Sequence, residues 1–209
     1  HPERKERLDS ILESIKQIED IKINFKEAPF VDMDTISLVH PKKHIEKIFS
    51  NIPKSGLIGV ENEPYADTML CNNSKNAILR SCGAGIAAAD DLMNNNKRIF
   101  CAIRPPGHHA ETTKAMGFCF INNIAVAARY LQKKHKINKV AIIDFDVHHG
   151  NGTQNIFYDN ERVLYISTHQ YPYYPGSGSE KERGKFNNIL NIPLEAGTTA
   201  EEYLNAYEY

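Results

Sequence analysis

The chain has no excess of charge, no apolar run of membrane length and no closely spaced cysteine pair. Its 25 Lys and Arg balance 26 Asp and Glu, for a net charge of -1. That excludes the basic surplus by which bulk nucleic-acid binding shows itself, and direct nucleic-acid binding is not expected. A local acidic rim for a basic substrate stays open. No apolar run has the length of a membrane span and no signal-like segment is visible, so no membrane association is expected. The four cysteines, Cys71, Cys82, Cys101 and Cys119, form no C-x-x-C pair, which argues against a zinc knuckle or a dithiol redox motif. Scattered among apolar segments, they read as reduced, and the expected compartment is the cytoplasm, or the nucleus in a eukaryote. Neither a repeat nor a low-complexity linker breaks the chain, and one domain over residues 1–209 is the simplest reading. The first residue is His1 rather than Met, so an upstream segment is expected.

What is present is a change of period along the chain. Leu8, Ile11, Leu12, Ile15 and Ile18 recur at helical spacing. A second helix is expected from Pro41, where proline suits the first turn, carrying Ile45, Ile48 and Phe49. Residues 51–64 read as a turn-rich loop, followed by a long alanine-rich helix over 74–94 that stops at the run Asn94 to Asn96. "RIFCAI" (98–103) reads as a short buried strand. Residues 122–134 are helical, with Ile124, Ala127, Ala128 and Leu131 on one stripe. Strands are expected at 139–147, 162–167 and 188–194, and a last helix is capped by Thr198 or Thr199. Strands alternating with helices predict an α/β fold with a mainly parallel sheet. The near-continuous apolar character of the strands predicts cover on both faces.

Two His-His pairs stand where such a sheet collects function, at the carboxyl ends of strands. "DFDVHHGNG" runs from Asp144 to Gly152. Alternation along an extended segment sets Asp144, Asp146 and His148 on one side. Two carboxylates and an imidazole without a thiolate suit zinc or iron(II) in a catalytic role. Asp144, deeper in the strand, could instead orient a histidine. The plain alternative is a strand ending in a polar turn made by Gly150 and Gly152. "IRPPGHHAE" (Ile103 to Glu111) sets His108 and His109 on an irregular loop after the first expected strand. Neutral imidazole accepts and returns protons near pH 7, as a metal-activated water requires. A histidine that only bonds its own loop is the alternative there.

Together the two stretches resemble the zinc-dependent histone deacetylase superfamily, which includes acetylpolyamine amidohydrolases and acetoin-utilisation-type proteins. "HPER" at the start, "GFCFINNIAVAA" (117–128) and "STHQYPYYPGSG" (167–178) extend the resemblance over essentially all 209 residues. "RPPGHHAE" and "DVHHGNGTQ" are closer to class II and bacterial-like branches than to class I. The resemblance implies the arginase/deacetylase-like three-layer α/β/α fold. It implies Asp146 and His148 as zinc ligands and His108 and His109 as the catalytic pair. Asp144 would stand behind His108, His109 would be the main proton shuttle, and Asn151 would replace the aspartate of class I. Phe118 and Tyr174, with Gly117, would wall the acyl tunnel, and Asp67 or Thr68 would lie at its rim. A structural K+ or Na+ would sit inside at Asp144, Asp146, His148, Ser167 and Thr168, and another outside at the carbonyls of Phe157, Asn160 and Val163. His149 is expected to turn away from the metal. His40, His44, His135 and His169 are expected to be surface or satisfied polar groups.

Two family features do not occur before Tyr209: the "GFD"-type aspartate that supplies the third zinc ligand, and the oxyanion tyrosine. The family's first strand, before "HPE", is also absent. The expectation is a domain truncated at the C-terminus and at the N-terminus. The implied reaction is zinc-dependent hydrolysis of an acetyl amide, with Fe2+ as the alternative metal. Its substrates would be acetyl-lysine in proteins or a small acetylated amine such as an acetylpolyamine. An inactive domain that binds partners or acylated ligands, or the product of a decayed gene, is the competing expectation. An arginase-like di-metal hydrolase would need a further acid where Gly150 and Asn151 stand. Oligomeric state is not indicated.

Overall fold

A computed structural model describes residues 2–60, 66–95 and 98–208. The expected first helix is α1 (Glu6–Lys16), whose apolar stripe is half-buried; Ile18 lies beyond it, exposed. A short α2 (Met33–Ile36) follows, capped by Asp32, which accepts from Thr35 N. Then comes α3 (Lys42–Ser50), entered through Pro41 and burying Ile45 and Ile48. Within the segment expected as pure loop, β1 (Ile58–Gly59) pairs antiparallel with β2 (Met69–Leu70). The helix α4 (Ser74–Asn95) matches expectation; Asn96, the last of the stopping run, lies outside the described residues.

The first expected strand is not one. Residues 98–103 run without strand pairing, and Phe100 is 70% exposed. A six-residue apolar run specifies extended backbone, but a strand also needs a partner edge, and the described residues provide none there.

Asn122 caps α5 (Asn123–Lys134) by accepting from Ala125 N. The stripe expected on this helix is only partly the buried one: Ile124 is exposed, whereas Ala125, Val126, Ala127 and Ala128 are buried. This follows because α5 packs against α4 as well as against the sheet side. The sheet consists of β3 (Val140–Asp144), β4 (Val163–Gln170) and β5 (Ile189–Leu194), all parallel in the order β3–β4–β5, with α6 (Asn151–Phe157) crossing over between the first two. The register sets Asp144 beside Ser167 and Ser167 beside Asn191, so polar residues line up at the carboxyl edge. The last helix, α7 (Ala200–Asn205), opens on a capping box between Thr199 and Glu202.

Two apolar clusters hold these parts. One gathers Ile36, Ile45, Leu70, Ile78 and Val126 beneath α2 to α4. The other sets Ala125, Ala128 and Phe157 against Ile142, Val163, Tyr165 and Ile189 on one sheet face. The opposite face differs from expectation. Ile143, Leu164 and Leu190 are 56%, 42% and 50% exposed, and the contacts of Thr168 with Tyr203 on α7 and with Tyr207 just beyond it lie near its upper end. The apolar pattern encodes two covered faces, but within the described residues only one has a full helical layer. No described helix is long and apolar enough to cross a membrane.

Candidate active site

The sheet's carboxyl edge brings the two His-His loops together. β3 is shorter than expected because its carboxylates bend the chain. Asp144 Oδ1 accepts from Asp146 N (3.3 Å), and Asp146 Oδ1 accepts from His148 N (2.8 Å). Such side-chain-to-backbone bonds compete with strand pairing. They also set Asp146 Oδ1 3.1 Å from His148 Nδ1.

His108 Nδ1 donates to Asp144 Oδ2 (2.9 Å), which also accepts from the hydroxyl of Tyr165 (2.9 Å). Gly150 makes room for this cluster, since a Cβ there would lie 2.4 Å from both Asp144 Oδ2 and the Tyr165 oxygen. Burial alone would lower the His108 pKa, but the bond to Asp144 and its charge reverse the balance and raise it. Burial likewise pushes Asp144 up, and the His108 partnership outweighs it, so its pKa is lowered.

His109 is treated differently by its surroundings. Asn151 Nδ2 donates to Glu111 Oε1 (2.9 Å), so Asn151 Oδ1 faces His109 and accepts from its Nδ1 (2.9 Å). Nε2 is left as the basic nitrogen. Burial first, and then the charge of His108, pull His109 down to about 4. The two rings stand 4.0 Å apart with opposite protonation preferences. A pair of groups pushed apart in this way is how an acid and a base are assigned within one site.

The expected tunnel residues converge on Asp67 and Thr68. Gly117 N donates to Asp67 Oδ2 (3.1 Å), Phe118 N donates to Thr68 Oγ1 (3.0 Å), and the Tyr174 hydroxyl donates to Asp67 Oδ2 (3.1 Å). Gly117 and Phe118 both have positive φ, 57° and 67°. At position 117 a Cβ would lie 2.3 Å from the His109 ring, so glycine is required there on both counts. Phe118 is held in a conformation costly for a side-chain-bearing residue. The ring of Tyr174 meets His109 edge-on at 5.0 Å. Tyr173, which the motif reading passed over, stacks on His148 at 5.1 Å. Tyr165 and Glu111 carry no sequence signal for the site: one sits inside an apolar strand, and the other gains its partner only through the fold.

The inner cation site is expected at the carbonyls of Asp144, Asp146, His148 and Thr168 with the side chains of Asp144 and Ser167, and side chains near both expected sites bond within the protein. Ser167 Oγ bonds His169 Nδ1 (2.9 Å), and the Thr168 hydroxyl bonds Tyr203 and Tyr207. Outside, the carbonyls of Phe157 and Val163 both accept from Asn188 Nδ2 (2.8 and 3.1 Å), and that of Asn160 accepts from Val163 N. Of the remaining histidines, His40 is buried between Thr112 O and Asn122 N, and His135 bonds Asp90. All four cysteines are free.

For a resident metal the donor chemistry fits, in part. Two donors on one tetrahedral ion at about 2.0–2.1 Å lie about 3.3 Å apart, close to the Asp146–His148 separation of 3.1 Å. Among the described residues no group of three His, Cys, Asp or Glu is placed to hold an ion.

Comparison with known proteins places the chain in a family. The chain is 36% identical over 211 residues to a probable deacetylase of Archaeoglobus fulgidus, covering 98% of this chain and 57% of that protein. Its structure resembles that of the HDA15 HD domain (TM-score 0.88, 33% identity, 99% of this chain and 60% of that one). It also resembles acetylpolyamine aminohydrolase from Burkholderia pseudomallei (TM-score 0.80, 26% identity, 96% and 66%). The chain thus spans about three-fifths of the length of these proteins, on the arginase/deacetylase type of α/β fold. With the histone deacetylase domain profile matching residues 1–209, the chain belongs to the histone deacetylase family.

Proposed function

We propose that the protein hydrolyses the acetyl amide of an acetylated amine, either an acetyl-lysine side chain or a small acetylated polyamine. The observation that carries this is the adjacent histidine pair, one partnered by a carboxylate and one by an amide, at the edge where Asp146 and His148 converge. Asp146 and His148 are the residues that would hold a zinc-type metal. When bound, such an ion polarises an acyl carbonyl and acidifies water.

The chain's own residues account for the proton traffic. Neutral His109 takes a proton at Nε2 as water attacks the acetyl carbon. When the C–N bond breaks, the leaving nitrogen takes a proton from His108, whose charged form Asp144 favours. Acetate and free amine result, and one proton passed from His109 to His108 restores the pair. Asn151 orients His109 without a countercharge, which keeps it a base rather than a standing cation. Tyr174 and Phe118 give an aliphatic linker apolar surfaces, and the Asp67 carboxylate lies where an amide N–H or a cationic amine would meet it.

The competing reading is a domain that binds acylated ligands without turnover. Acetate release separates the two. The zinc-loaded full-length protein should release acetate from acetyl-lysine peptides or acetylpolyamines. Binding of both without release supports the second reading.

A further inference from the structure

Two buried histidines have no place in this chemistry. His149 and His169 are 1% and 2% exposed, with ring centroids 4.7 Å apart. Their hydrogen bonds fix both tautomers. Gln154 Nε2 donates to Glu182 Oε2 (2.6 Å), and Gln154 Oε1 accepts from Asn191 Nδ2 (2.7 Å). His149 Nε2, 3.0 Å from that same Oε1, is therefore a donor. Its Nδ1 pairs with the hydroxyl of Ser177 (2.8 Å). His169 Nε2 donates to the carbonyl of Gly178 (2.9 Å), and its Nδ1 accepts from Ser167. Gly178 rests on both rings at φ 96°, and a Cβ there would lie 2.4 Å from His169 Nε2 and 2.6 Å from His149 Cγ.

These bonds hold the end of a segment with few backbone donors to spare, since Pro172 and Pro175 carry no N–H. Its start is tied by Tyr171 N to Leu194 O. Between the two ends stand Tyr173 over His148 and Tyr174 against His109, both rings exposed. The same end is held by Gly178 N donating to Glu182 Oε1 (3.0 Å), and Tyr174 by its own hydroxyl on Asp67 (3.1 Å), so the histidine bonds are one part of what fixes the two rings.

We infer that His149 and His169 are positioning residues for the acyl-binding wall, clasping Ser177 and Gly178 so that Tyr173 stays on His148 and Tyr174 on His109. The substrate used to test this rests on the deacetylase reading; the clasp itself does not. The test uses the full-length, zinc-loaded protein with S177A, which removes the hydroxyl, and S177T, which keeps it. S177A should raise KM for an acetyl-lysine peptide by about fivefold, as the loss of one such bond implies, with kcat changed less than KM. S177T should restore KM. By hydrogen exchange, the amides of residues 171–178 should open faster in S177A, while those of β4 and β5 do not. Unchanged exchange in S177A, or a kcat loss with KM unmoved, would overturn the inference, as would failure of S177T to restore exchange. If the wild-type protein turns over no acetylated substrate, the deacetylase reading fails and the exchange measurement alone decides the clasp.

Discussion

Giving His109 a carboxylate partner should raise its pKa, but Asn151→Asp alone should do so poorly. Asn151 faces His109 Nδ1 at 2.9 Å and donates to Glu111 Oε1 at 2.9 Å. A carboxylate at 151 would meet the imidazolium with an attraction of up to about 4 kcal/mol at 4 Å and an effective dielectric of 20. In practice a neighbour of opposite charge raises a histidine by about 1–3 pH units. From its present value of about 4, His109 should then titrate near 6. The same substitution sets two carboxylates within hydrogen-bond distance at position 111. One of them must hold a proton or move away, which removes much of the attraction. E111Q relieves this, because its amide can donate to the introduced carboxylate. N151D/E111Q should therefore raise the His109 midpoint by about two pH units, and N151D alone by clearly less. NMR titration of the imidazole reads this directly, and the acid limb of kcat/KM should follow it. Equal shifts in the single and double variants, or none in either, would refute the assignment of Glu111 and Asn151.

H109A should lower kcat/KM of the full-length protein on an acetylated peptide by about a hundredfold or more, the usual range for a general base. Calorimetry with Zn2+ should show that D146N abolishes metal binding by residues 1–209, and that the wild-type segment binds more weakly than the full-length protein. Stability should fall on acidification from pH 6.5 towards 4. His40, His109 and His149 are each pulled down to about 4, chiefly by burial, so the unfolded chain takes up protons that the native one refuses. Each contributes up to about 2 kcal/mol between pH 7 and pH 5, and His108, whose pKa is raised, acts in the opposite sense. Urea unfolding at the two pH values tests this. G178A should destabilise by about 3 kcal/mol or more, from strained backbone and from contact with two rings, measurable as a lower Tm.

Much of the fold was legible because local rules decided it. The helices α3, α4 and α5 follow from periodicity and caps, and α7 from a capping box that Thr199 and Glu202 close within one turn. The three parallel strands follow from apolar runs at the right spacing. Residues 98–103 show the limit of that reasoning: they have the composition of a strand but lack a partner edge. Ile124 shows another, since a stripe read from one helix cannot say how many neighbours that helix will have.

The sequence by itself determined the chemistry available: two His-His motifs, the carboxylates beside them and the aromatic segment beyond β4. The resemblance to the family implied the pairings of His108 with Asp144 and His109 with Asn151. Only the tertiary structure decided how the surroundings of the pairs differ. Protonation depends on burial and on neighbours brought together from distant positions. Glu111 turns Asn151 towards His109, Tyr165 and Asp144 hold His108, and Ser177 claims His149, whose own neighbour His148 faces Asp146. Adjacent residues of one type acquired different surroundings because successive side chains leave the backbone in different directions and meet different charges.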